Sequence, residues 1–341
     1  MDNYMKEKNG NRRLRVLTWH IHGSYLYYLT QTDCTFYLPV KDSKEEGYGG
    51  ASPGFPWGKN VIDIPAEKIK ETEFDCILFQ SKKAYLNDQY ELLSDEQRRL
   101  PKIYLEHDPP REIPTDTKHI VDDPSTLLVH VTFFNRLMWD NNRTPTKVIE
   151  HGVTVDPAAA YTGELPKGIV VINGIVKRGR RLGYDVFERI RKKIPLDLVG
   201  MESEAAGGLG EIKHEELNRF AARYRFFFNP IRYTSLGLSV CEAMMTGLPV
   251  VGLATTEMAT TIENGYSGYV YNDEEKLIAC MQRLLDDPGH AKQLGEGAKA
   301  FAGKQFNIER FKEDWLNTIE EVVSQCPQPT SVLATTSKIK I

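Results

Sequence analysis

The densest run of chemically suggestive residues lies between Asn229 and Val270, NPIRYTSLGLSVCEAMMTGLPVVGLATTEMATTIENGYSGYV. It reads as a strand end, a loop through Ser235 and Gly237, a short helix carrying Glu242, and a Gly-x-Pro turn into a second strand, Pro249–Leu253. Gly237 admits close approach of a ligand to the backbone, and the N-terminus of the helix that follows points at the same place. Glu242 falls about one turn into that helix, where a carboxylate can accept two hydroxyl hydrogen bonds. After the second strand, Thr255-Thr256-Glu257 forms another polar turn at a sheet's carboxyl edge. These features predict a ligand pocket built around Gly237, Glu242 and Gly247.

Other chemistries leave no trace. No DxD or other carboxylate pair stands at a strand end to hold a divalent ion with phosphates. Glu45-Glu46 and Asp122-Asp123 are adjacent pairs that point in different directions. No GxSxG elbow or Walker loop occurs, and GxGxxG is missing after the first strand, which argues against a nicotinamide enzyme. The five cysteines, Cys34, Cys76, Cys241, Cys280 and Cys326, show no metal-ligand spacing. Three of them (Cys76, Cys241, Cys280) sit in apolar runs, which suits a reducing compartment.

The elements that must position the pocket are legible as alternation. Leu14–Trp19, Cys76–Gln80, Lys102–Leu105 and Leu127–Val131 read as buried strands, and Ile169–Ile172, Leu196–Val199, Arg225–Phe228 and Pro249–Leu253 form a second series. Asp185–Lys193, His214–Tyr224 and Glu274–Asp286 carry helical apolar spacing with charged outer faces. Such alternation implies right-handed βαβ crossovers and open parallel sheets. The polar stretch Asp156–Gly168 is the linker candidate between two doubly wound units, and a ligand cleft belongs at the carboxyl ends of both sheets. Lys41–Lys59, with EEGYGG and SPGFPWG, is too rich in Gly and Pro for a regular element. It reads either as a surface loop or as an aromatic-bearing loop over the acceptor side of the cleft.

The 341 residues have ordinary globular composition, and two domains are the default at this length. A net charge of −4 argues against binding nucleic acid through a broad basic field. The N-terminal segment has no apolar signal region and no stretch approaches a membrane span, so a cytoplasmic location is expected.

The Asn229–Val270 segment resembles the donor-site signature of retaining GT-B glycosyltransferases of family-4 type (glycosyl transferases group 1). Gly237-Leu238, Glu242-Ala243-Met244, Gly247-Leu248-Pro249-Val250-Val251, Ile262-Glu263-Asn264-Gly265 and Gly268 fall in register with it without a gap. LEHDPP (105–110), VIEHGVTVD (148–156), VVINGIVKRGRRLGYDVF and LGEGAKAFAGKQFNIERFKEDWLNTI resemble further family segments. Coverage runs over about 100–325, with LRVLTWHIHG recognisable before it.

The resemblance implies two Rossmann-like doubly wound parallel-sheet domains: residues 1–160 on the acceptor side, 161–305 for the nucleotide-sugar donor, a helix at 306–326 returning to the first domain, and a disordered tail at 327–341. It also implies transfer of a sugar from a nucleotide-diphosphate-sugar co-substrate to an acceptor hydroxyl, with retention, no metal and no other cofactor. Thr234, Ser235, Leu236, Gly237, Leu238 and Thr256 are placed at the donor, and Glu242 at its ribose. The family's first glutamate falls on Thr234 and its GG turn on Thr256-Glu257, so Glu257 is expected to supply the missing carboxylate. The family's basic pair aligns with Ile175 and Leu182, yet Lys177, Arg178, Arg180 and Arg181 crowd that loop. Arg178 and Arg181 are the candidates for the diphosphate, whose growing charge a guanidinium stabilises.

His107 is placed near the sugar and is grouped with Glu257 as catalytic. Asp108 and His22 face the acceptor, and Gly23 faces the diphosphate. Expected partners are the donor and an acceptor that is a glycan, lipid-linked or small molecule. Peripheral membrane contact is left open and nucleic acid is excluded. The alternatives are an inactive nucleotide-sugar binder, favoured by Thr234, a GT-B sugar-nucleotide epimerase, and a phosphorylase, for which no pyridoxal-binding lysine is found.

Overall fold

The computed structural model describes residues 12–325. Apart from Arg12 and Arg13, the tails expected at 1–13 and 327–341, together with Cys326, lie outside the described residues.

Seven strands, β1 (Leu14–Thr18), β2 (Cys34–Val40), β3 (Val61–Pro65), β4 (Cys76–Phe79), β5 (Lys102–Glu106), β6 (Thr126–His130) and β7 (Thr146–Val148), make one sheet in the order β3-β2-β1-β4-β5-β6-β7. Five more, β8 (Leu165–Val171), β9 (Leu196–Val199), β10 (Tyr224–Asn229), β11 (Val250–Gly252) and β12 (Gly268–Val270), make a second in the order β12-β11-β10-β8-β9. Every pairing in both sheets is parallel. Each sheet therefore has a point where the chain reverses its direction of travel, between β1 and β4 in the first and between β8 and β10 in the second. Ligands of open parallel sheets bind outside the carboxyl ends of the strands at such points.

The expected buried strands all form. Four further strands, β2, β3, β7 and β12, do not stand out as continuous apolar runs because they are short or sit near a sheet edge with one face partly exposed. The linker is shorter than the expected 156–168, since Leu165–Val171 is already strand β8. Pro166 is tolerated there because the register with β10 shifts between Tyr224 and Phe226, which spares the ladder a donor at that point.

The helices used below are α1 (Gly23–Leu29), α2 (Phe133–Met138), α3 (Ile175–Arg178), α4 (Tyr184–Ile190), α5 (His214–Ala221), α6 (Leu238–Thr246), α7 (Glu274–Asp286), α8 (Pro288–Gln305) and α9 (Ile308–Gln325). Side chains start the long ones: Asp273 accepts from the amides of Glu275 and Lys276, and Asp287 from that of His290, with Pro288 opening α8. Gly247, at φ +96°, ends α6 in the left-handed conformation that favours glycine. None of these helices is long and apolar enough to cross a membrane, and this holds for all described residues.

Helix α9 packs back on α1 and β4 of the first sheet. Its Phe311, Trp315 and Ile319 are fully buried, and the Trp315 indole donates to Tyr25 Oη at 3.2 Å. The Arg310 guanidinium donates to the carbonyls of Glu150, His151 and Gln305, fastening the helix to the segment that leaves β7. Gly152 in that segment touches Phe311 so closely that an added Cβ would stand 2.2 Å from the Phe311 Cβ. Gly152→Ala should therefore lower stability by about 1–3 kcal/mol through overpacking. Thermal unfolding checks this, and an unchanged midpoint would show that the connector yields freely at this contact.

Candidate active site

A cavity of about 640 Å³ lies where the carboxyl ends of the two sheets face each other. That volume suits a cofactor-sized ligand. Its wall combines the turn after β1 (Ile21–Tyr25), the loop after β5 (His107, Asp108, Arg111), the loop after β8 (Asn173, Arg178), the end of β9 (Val199–Met201) and the run Thr234–Ser239 entering α6.

Helix α6 begins at Gly237, whose extended backbone (φ −73°, ψ 137°) turns the chain into the helix and leaves its first N–H groups at the wall. Glu242 follows on the buried side, 4% exposed. One carboxylate oxygen, Oε1, accepts from Tyr28 Oη at 2.7 Å. Tyr28 belongs to α1, so this bond crosses from the first sheet's half to the second's. Burial, opposed by the Tyr28 hydrogen bond, pushes the Glu242 carboxyl up to about 7 from 4.5.

His107 is fixed in one tautomer. Gln80 Nε2 donates to Thr18 Oγ1 and to the Trp19 carbonyl, which can only accept, so the Gln80 amide oxygen faces His107 Nε2 at 3.1 Å. His107 therefore carries its proton on Nε2 and keeps a lone pair on Nδ1. Desolvation, followed by His22 and His151, holds its pKa well below the usual value, so the ring is neutral. It is an acceptor for a hydroxyl and a weak base. The His22 ring lies 4.1 Å from that of His107, and desolvation also lowers its pKa.

The cationic part of the wall comes from both halves. Arg111 pairs with Asp108. Desolvation, Arg181 and Arg111 lower the pKa of Arg178, with Asp108 opposing, and desolvation and Arg111 lower that of Arg181. Arg111 and Arg178 at the wall, with Arg181 close behind, form an incompletely neutralised site for an anion beside Asp108. Arg180 points away and pairs with Asp185.

Of the expected site residues, Gly23, His22, His107, Asp108, Arg178, Thr234, Ser235, Leu236, Gly237, Leu238 and Glu242 all line the cavity. Arg181, Thr256 and Glu257 are not part of its wall, and Gly247 lies at the opposite end of α6. Glu257 Oε2 accepts from the Phe134 amide at 2.9 Å, where α2 begins. An acid at a helix N-terminus is held there by the helix's unpaired amides. Thr256 has φ +52°, a strained conformation for a β-branched residue at the place of a glycine turn. The carboxylate that Thr234 does contact is Asp108, Oγ1 to Oδ1 at 3.4 Å. Gly23 makes room for the loop at 41–59: a Cβ there would meet Phe55 Cε2 at 3.0 Å.

Sequence reasoning did not single out Tyr28, Phe55, Arg111 or His214. Tyr28 looks like a core residue of an aromatic helix. Arg111, three residues beyond Asp108, and Phe55, inside the aromatic-bearing loop at 41–59, carried the available signals. The loop at 41–59 is irregular, as its Gly and Pro content requires, and Phe55 stacks on Tyr27 and touches His214 of α5.

Residues 176–287 match the sequence profile of the Glycosyl transferases group 1 family. A sucrose synthase from Denitrovibrio acetiphilus is 29% identical over 150 residues, 41% of this chain and 19% of that protein. The chain thus matches about a fifth of that relative's length. A sucrose-phosphate synthase from Thermosynechococcus elongatus superposes with a TM-score of 0.66 at 15% identity, over 92% of this chain and all of that one. Anabaena HepE, solved with UDP and glucose, superposes with a TM-score of 0.64 at 12% identity, over 91% of this chain and all of that one. The fold is GT-B, two parallel sheets facing across a cleft.

Glu242 carries a stability consequence. Its folded pKa of about 7 exceeds the ordinary 4.5, so between those values the folded chain holds a proton that the unfolded chain has released. Stability falls as pH rises through that window, and the loss is complete above about 7. Glu242→Gln keeps an acceptor for Tyr28 and removes the charge, so it should be more stable than the parent at pH 8 by on the order of 3 kcal/mol. The gap should close toward pH 4.5, and denaturant unfolding at both pH values reads it. Equal stabilities at pH 8 would contradict the burial of a charged carboxylate.

Proposed function

We propose, for a chain whose residues 176–287 carry the Glycosyl transferases group 1 signature within a GT-B fold, that it transfers a sugar from a nucleoside-diphosphate sugar to an acceptor hydroxyl. One observation carries this reading: a single cavity joins a buried carboxylate with an unoccupied oxygen to a cluster of arginines and a neutral imidazole lone pair. Those are the partners of a ribose diol, a diphosphate and a sugar hydroxyl respectively. That HepE was solved with UDP and glucose supports the same ligand class.

In this reading Glu242 accepts from the ribose hydroxyls, and the amides opening α6 lie against the diphosphate. Arg178 stabilises the charge that grows on the leaving diphosphate as the glycosidic bond breaks, with Arg181 adding positive charge from behind the wall. Arg111 reaches the same place from the other half, so both halves contribute to the cation cluster. His107 Nδ1 accepts from a sugar hydroxyl and orients the ring. A neutral imidazole with a depressed pKa is a poor general base, so the acceptor's proton passes to the leaving diphosphate oxygen. The reaction proceeds with retention and without a metal ion.

A binder without turnover is the second reading. It draws on Thr234 standing where an acid is expected and on Glu257 being engaged at α2. Donor consumption separates the two. Purified protein given UDP-, GDP- or ADP-glucose should release the matching nucleoside diphosphate as water takes the glucosyl group, and Arg178→Ala should lower that rate at saturating donor about a hundredfold. Binding without any release by the parent protein would establish the binder instead.

A further inference from the structure

The Glu242 carboxylate has a partner that its neighbours on the second sheet do not supply. No cation stands against it; its one protein hydrogen bond among the described residues is from Tyr28, on a helix of the other half. Tyr28 is itself fully buried. Its hydroxyl has a single proton and three neighbours: Glu242 Oε1 at 2.7 Å, the Thr154 carbonyl at 3.3 Å and His214 Nε2 at 3.4 Å. The shortest contact, to the only anion of the three, takes the proton.

His214 is packed among the rings of Tyr27, Tyr28 and Phe55, and desolvation lowers its pKa, so it is neutral. With its proton on Nε2 it donates to the Tyr28 oxygen. The three side chains then form a chain, His214 to Tyr28 to Glu242, drawn from α5, α1 and α6. Thr154, in the segment joining the two sheets, borders the same hydroxyl.

We propose that Tyr28 is a positioning residue for Glu242: by holding Oε1 from across the cleft it turns Oε2 to the cavity as the acceptor for the nucleoside ribose diol. A neutral hydroxyl suits this task better than a cation would. It fixes the carboxylate without neutralising it, so the second oxygen remains a strong acceptor. The arrangement also makes the ribose site bipartite, because Glu242 is oriented only while the two halves are together. This inference rests on the nucleotide-sugar reading above.

The test measures selectivity for the ribose hydroxyls by isothermal calorimetry at pH 8. The probes are UDP, GDP and ADP, and for whichever binds, its 2′,3′-dideoxy counterpart. The parent protein should prefer the nucleotide over the dideoxy form by about tenfold or more, the worth of a hydrogen bond to a charged group. Tyr28→Phe should bring that preference below about threefold while the dideoxy form binds with unchanged affinity. Glu242→Gln should reduce the preference in the same way, and the double variant should lose no more than either single one, as residues acting as one unit do.

Each ratio is internal to one variant, so a general loss of stability does not imitate the effect. If Glu242→Gln removes the preference and Tyr28→Phe keeps it, the positioning role is overturned and the nucleotide reading stands. If the parent binds none of the three nucleotides, the nucleotide reading falls and this inference falls with it.

Discussion

A carboxylate taken out of water with no cation beside it is an expensive group, and the site is arranged around that fact. Glu242 is 4% exposed, and the penalty appears as a carboxyl pushed up to about 7. The Tyr28 hydroxyl offsets part of it at 2.7 Å, and Tyr28 can do so only from the opposite half of the molecule. The relative placement of the halves is therefore an energetic requirement of the site. Much of the remaining structure meets it: α9 returns to α1, Trp315 bonds Tyr25, and Arg310 ties the helix to the connector carbonyls. A buried acid without a counter-ion makes a folded protein less stable, and such departures from local rules concentrate at functional sites.

The sheets supply the geometry in which this interaction has meaning. Both are parallel, both change direction near their middle, and both present loops at the carboxyl ends of the strands. When two such edges face each other, groups far apart in sequence converge. His107 and Arg111 follow β5, Arg178 follows β8, and Glu242 stands in the helix after β10. The electrostatics follow from that convergence. Arginines from both halves (Arg111, Arg178) line the cavity together with the neutral rings of His22 and His107. A ligand that carries both a diphosphate and free hydroxyl groups matches that lining.

How much of this was legible in the sequence depended on the range of the interaction. The buried strands and the α6 segment are local patterns, continuous apolar runs and a glycine-to-helix turn, and they stand where the spacing puts them. The strands β2, β3, β7 and β12 were missed because one face of each is partly exposed or because they are too short for periodicity to speak. Gly247 was grouped with Gly237 and Glu242 on sequence proximity, yet a helix carries its two ends apart, and Gly247 serves as its stop. Glu257 was assigned by analogy with a missing acid. The partner its Oε2 holds in the structure, the amide of Phe134, lies 123 positions away and leaves no local signature. Tyr28 was invisible for the same reason, since an aromatic residue on an apolar helix reads as core until the opposing carboxylate is seen.

Under the proposed function, Glu242, its carboxyl pushed up to about 7, receives the hydroxyls of a nucleotide sugar in this cavity. Thermal shift with UDP-, GDP- and ADP-glucose at pH 8 and at pH 6 tests it most directly, because the diphosphate diester of these donors does not titrate in that range. One donor should raise the unfolding midpoint at pH 8, by the equivalent of about 2.7 kcal/mol at a hundredfold excess over Kd. The rise should be smaller at pH 6, where Glu242 is protonated and accepts hydroxyl hydrogen bonds less well. A midpoint that no donor moves, or one that rises more at pH 6 than at pH 8, would contradict it.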